Sequence, residues 1–95
     1  MKIRTVDPRD TEWQVDRPRY RVVMWERAEE PSVSAPDPGF RAAEFELSEV
    51  RDIEEVLSWA GERSRPGVTV AVYALLDLDG KRGLVRLSGS DPTTR

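Results

Sequence analysis

The stretch VTVAVYALLD, residues 68–77, is apolar on both of its alternating faces. A half-exposed strand alternates apolar and polar side chains, whereas a strand covered on both sides reads as a nearly continuous apolar run. The stretch therefore predicts a strand in the middle of a sheet, with at least part of each face packed. Asp79 and Gly80 follow almost at once, and Asp-Gly is a strong turn signal. A hairpin loop of about five residues and a last strand over residues 83–88 complete this end of the chain.

Upstream, Ile53, Val56, Leu57 and Ala60 fall at i, i+3, i+4 and i+7, the apolar stripe of an amphipathic helix. Asp52 and Glu55 have capping-box spacing, whereas the rival cap Ser48 would place Arg51 at the position that must return the bond. The helix is predicted over residues 52–64. Gly61 offers an earlier left-handed end, and Pro66 with Gly67 forbids continuation beyond. Before the helix, residues 42–47 alternate, with Ala43, Phe45 and Leu47 on one side and Glu44 and Glu46 on the other. Residues 19–27, RYRVVMWER, are rich in aromatic and β-branched side chains and put Tyr20, Val22 and Met24 on one face. The segment between these two strands carries Pro31, Pro36 and Pro38 and reads as a loop.

These elements predict an α+β fold of order β-β-α-β-β, a mostly antiparallel sheet of about four strands with one helix on one face. Residues 1–18 read as an N-terminal arm or irregular edge, residues 19–88 as the single domain and residues 89–95 as a flexible tail. The length of 95 residues suits one domain with one modest core. Hydrophobic residues make up 38% and charged residues 35%, lean for a core but short of the composition of a disordered chain.

Function is narrowed mainly by what the chain lacks. It has no cysteine and no histidine, which removes thiolate chemistry, sulfur-ligated metals and the commonest general base. A non-catalytic protein is favoured, with no cofactor implied. The net charge of −3 gives no bulk attraction to nucleic acid or an anionic membrane, and no apolar stretch approaches the roughly 20 residues of a membrane span. A cytoplasmic location follows as the expectation. Thirteen of the fifteen basic residues are Arg and there is no Asn, a bias that fits a GC-rich bacterial genome better than arginine-specific chemistry.

The candidate functional feature is a surface. If the helix covers Val22, Met24, Phe45, Val70, Val72 and Leu76, alternation sends Glu44, Glu46 and Ala71 to the opposite face. With them go Arg21, Val23, Trp25, Tyr73, Leu75, Leu84 and Arg86. These seven residues form the predicted interaction surface, an aromatic and aliphatic patch with a charged border. A single helix leaves the second side of a sheet open, and large apolar patches mark association. Trp, Tyr and Arg suit interface hot spots. A homodimer or a protein partner is the expected occupant; the plainer alternative is the N-terminal arm folding across, with Trp13 and Val15 filling the space.

Other constellations have plainer readings. Asp77 and Asp79 resemble the opening of a calcium loop, but no closing bidentate Glu follows, and a hairpin turn accounts for them. Glu44 and Glu46 share a face and suggest an acid and base pair, yet cross-strand pairing with Arg19, Arg21 or Arg27 explains them better. Trp59 beside the helix stripe reads as a seal at the core edge. Arg17, Arg19 and Arg21 around Tyr20 suggest nucleic-acid stacking, diluted by Asp16, Glu26, Glu44 and Glu46. The alternatives to a protein-interaction domain are a small-molecule or carboxylate and Arg enzymatic site around Glu44, Glu46, Arg21 and Tyr73, and a nucleic-acid binder.

Overall fold

The computed structural model describes residues 1–10, 17–27 and 39–93. Its elements are β1 (Arg19–Arg27), β2 (Phe40–Leu47), α1 (Ile53–Arg63), β3 (Val68–Leu78) and β4 (Lys81–Gly89), preceded by a single 3-10 turn at Pro8–Asp10. The four strands form one sheet in the order β2-β1-β3-β4, and every neighbouring pair is antiparallel. The predicted β-β-α-β-β fold is the one observed.

This order decides which surfaces the helix reaches. Strands β2 and β3 both pair with β1, one on each side, so the connection from β2 through α1 to β3 must pass over β1. Strands lie about 4.8 Å apart and a helix with its side chains is about 10 Å across. A helix centred on β1 therefore spans β1 and its immediate neighbours, and β4 lies outside its reach. The packing agrees. Val56 and Ala60 of α1 bury against Tyr20 and Val22 of β1 and Val72 of β3. Met24, Leu47, Val50, Ile53, Trp59 and Val70 fill in around them.

The helix begins as its sequence dictates. Asp52 is the N-cap and its carboxylate accepts from the Glu55 N–H at 3.0 Å, satisfying one of the amides that a helix start leaves unpaired. The reciprocal half of a capping box is replaced by a different bond, since the Glu55 carboxylate takes the Arg51 guanidinium at 2.7 Å. Gly61 does not end the helix. The chain continues to Arg63, and Ser64 closes it by donating its N–H to the Gly61 carbonyl at 3.2 Å.

The β3–β4 connection is tighter than the predicted loop of about five residues. Leu78 pairs with Lys81, so only Asp79 and Gly80 remain in the turn, with φ of 51° and 77°. Positive φ at both central residues is the signature of the type I′ hairpin, whose twist matches that of the flanking strands. Lys81 and Arg82, which look like loop residues, thereby become the first positions of β4. At the other end Gly89 belongs to β4 and not to the tail. The hairpin is irregular at one point: Val72 opposes Ser88 and Tyr73 opposes Arg86, which leaves Leu87 as the extra residue of a β-bulge.

Candidate functional site

The strand registers bring the seven residues of the predicted surface onto one side of the sheet. Arg21 pairs with Tyr73, and Val23 and Trp25 of β1 lie opposite Ala71 and Thr69 of β3. Tyr73 and Leu75 lie opposite Arg86 and Leu84 of β4, and the bulge at Leu87 does not change that parity. Glu44 and Glu46 occupy the same side of β2, opposite Val23 and Arg21.

Openness of that side is where the structure corrects the expectation. Val23, Trp25 and Leu75 are buried and Ala71 is fully enclosed; Trp25 keeps only 7% of its surface. Val23, Trp25 and Ala71 form a second core cluster, against which Phe40 and Tyr73 pack, and the Arg27 guanidinium stands 5.3 Å over the Phe40 ring. The sheet is thus buried on both sides at β1 and β3, the arrangement that an apolar run like residues 68–77 demands. Arg21 and Tyr73 are half-buried, and only Leu84 and Arg86 of the seven are exposed. Trp13 and Val15, the alternative cover, lie outside the described residues.

The border charges along β1 and β2 are satisfied among themselves. Arg21 approaches Glu44 at 3.7 Å and Glu46 at 3.8 Å, and Arg19 approaches Glu46 at 3.8 Å, so the two carboxylates form a cross-strand ladder with arginine and not an acid and base pair. Asp77, the first carboxylate of the calcium-like DLDG, accepts from Arg19 at 2.8 Å and lies 3.5 Å from Arg82. Among the described residues no group of three or more His, Cys, Asp or Glu side chains is placed to hold a metal, and no helix is long and apolar enough to cross a membrane. Tyr20 is buried in the helix-side core, on the side of β1 opposite Arg19 and Arg21, so the stacking surface suggested for nucleic acid is not assembled. Trp59 is a seal, edge-on to Phe45 at 5.3 Å with Arg63 4.0 Å above its ring.

Two carboxylates sit below their ordinary range. Asp7 is held there by hydrogen bonds from Arg9, and Glu55 chiefly by the side-chain hydrogen bond from Arg51. Both are local, solvent-exposed pairings and lie in no enclosed site. A groove of about 730 Å³ between β2 and the end of α1 is lined by Met24, Phe45, Glu26, Arg63 and Arg65 among others. Its charges are also engaged: Arg65 meets Glu26 at 2.8 Å and Arg63 meets Glu62 at 3.8 Å.

What stands out is β4, exposed at every one of its positions. Leu84, Val85 and Leu87 keep 42%, 49% and 48% of their surface, and Leu78 at the end of β3 keeps 48%. Val85 lies on the helix side opposite Ala74, and Leu84 on the other side opposite Leu75, so the hairpin is apolar on both faces and α1 reaches neither. Periodicity could not reveal this, because Leu84, Val85 and Leu87 look the same in a covered strand and an uncovered one. No protein-family model matches this chain, and neither a curated protein nor a solved structure does.

Proposed function

We propose that this chain is a small, non-catalytic interaction domain that contacts another protein chain through the β3–β4 end of its sheet. One observation carries the reading: a complete strand with three large aliphatic side chains lies on the surface of a chain whose core is lean. A single exposed leucine means little, but clustered aliphatic side chains at the end of a sheet mark association surfaces. The lack of histidine and cysteine and the mutual pairing of Arg21, Glu44 and Glu46 support a binding role over a catalytic one. Leu84 and Arg86 are the members of the predicted surface that retain this role. Trp25, Val23 and Leu75 support the platform from within.

Site-directed photo-crosslinking in the cells that make the protein tests this. A benzophenone side chain at position 84 is expected to yield a discrete covalent adduct heavier than the chain alone. The same probe at position 54, on the exposed side of α1, is expected to yield none. Adducts of equal abundance from both positions, or from neither, would remove the hairpin as the contact surface.

A further inference from the structure

We infer that the free edge of β4 receives an extended acidic segment of another protein, which adds as a fifth strand along residues 81–86. This rests on the reading of the β3–β4 end as a contact surface and adds the partner's chemistry. Strand β4 is the last in the sheet, so among the described residues one side of its backbone has no ladder partner, and such an edge pairs with any suitable strand. The bulge at Leu87 interrupts the regular edge, which leaves residues 81–86 as the straight stretch.

Charge selects the occupant. Residues 80–90 contain Lys81, Arg82 and Arg86 and no carboxylate, in a chain whose net charge is −3. Arg82 lies 3.5 Å from Asp77, whereas Lys81 and Arg86 make no ion pair or hydrogen bond among the described residues. These cations occupy both faces: Lys81 pairs with Leu78 on the helix side, and Arg82 and Arg86 pair with Asp77 and Tyr73 on the other. A second copy presenting its own β4 would crowd like charges across the new ladder, which destabilises it. The opposite edge, β2, carries Glu44 and Glu46, but both are already bound by arginine, and β2-to-β4 pairing between copies would be an open, non-closing contact. The devices that protect the edge from self-pairing leave an acidic foreign strand as its complement.

The pattern of the occupant follows from the register. Along one face β4 presents Arg82, Leu84 and Arg86, which calls for acid, aliphatic and acid at alternate positions of the incoming strand. Along the other it presents Lys81, Gly83 and Val85, which calls for an acid, a large side chain over Gly83 and an aliphatic one. An antiparallel strand meeting these demands reads Glu-Val-Val-Phe-Glu-Glu.

The test is fluorescence anisotropy with a labelled ten-residue peptide centred on that sequence and the full chain. Saturable binding with Kd of about 10–100 µM is expected. Arg86→Glu is expected to weaken it at least about tenfold, and a peptide with lysine opposite position 86 is expected to recover affinity for that variant. Backbone amide shifts should change along residues 81–86. Absence of saturable binding up to about 1 mM, binding unaffected by Arg86→Glu, or equally tight binding of an oligothymidylate would overturn the inference. Crosslinks from position 84 without peptide binding would refute the acidic strand and leave the hairpin as contact surface; loss of both would refute the two readings together.

Discussion

Trp25→Ala is expected to lower the unfolding free energy by about 3–5 kcal/mol, the usual cost of deleting a buried Trp side chain. In a domain of this size that is a fall in Tm of about 15 °C or more. The physical reason is position. Trp25 sits on β1, which is paired on both sides, and it is buried with Val23 and Ala71, with Phe40 and Tyr73 packed against the cluster. Truncation leaves a cavity that two ladders prevent from collapsing. Leu84→Ala on the exposed edge strand is the matched comparison, expected within about 0.5 kcal/mol of the parent. Urea denaturation of the three proteins gives the answer. A Trp25→Ala change below about 1 kcal/mol would mean that this face is open and that the contact surface extends over it.

Gly89→Ala is the second large effect, and it arises from backbone and not from burial. Gly89 ends β4 opposite Ala71 with φ of 83°, a region that costs an L-residue about 1–2 kcal/mol. A Cβ there would also collide with the Val70 carbonyl oxygen and stand 2.9 Å from the Ala71 Cα. Neither atom is the tip of a flexible side chain, so the end of β4 must move away from β3. The expected loss is about 3 kcal/mol in all. Gly83→Ala in the same strand meets nothing within 4 Å and serves as the control, expected to change stability by less than about 0.5 kcal/mol. Thermal unfolding that left Gly89→Ala no less stable than Gly83→Ala would show that this close approach does not exist.

The partition of side chains between the two sides of the sheet was legible in the sequence. Each strand alternates about a fixed parity, and the observed registers place Val22, Phe45 and Val72 together on the helix side and Val23, Ala71 and Tyr73 together on the other, as alternation predicts. The helix was legible because stripe, cap and terminator agree at Ile53, Asp52 and Pro66. Strand order was not. Nothing local in residues 83–88 records that β2, α1 and β3 straddle β1, yet that geometry strands β4 beyond the helix and makes Leu84, Val85 and Leu87 a surface. Nor does periodicity distinguish a Trp that waits for a partner from one already enclosed, so Trp25 and Leu75 read as surface when they are core. Lys81 and Arg82 were missed as strand because charged residues beside a turn resemble loop; the paired positive φ of Asp79 and Gly80 absorbs the whole reversal in two residues.

Residue-resolved amide hydrogen exchange on the purified protein tests most directly whether the edge of β4 is free. In a regular antiparallel pair alternate amides point toward the neighbouring strand and the others away from it. The expected result is slowest exchange at Val22, Val23, Ala71 and Val72, at the rate of global unfolding. Along residues 81–86 every second amide should exchange within about a factor of ten of an unstructured chain, independently of protein concentration. Uniform protection along residues 81–86, or protection that rises with concentration, would show that the chain itself or a second copy already covers this edge and would contradict its role as a receptor for a foreign strand.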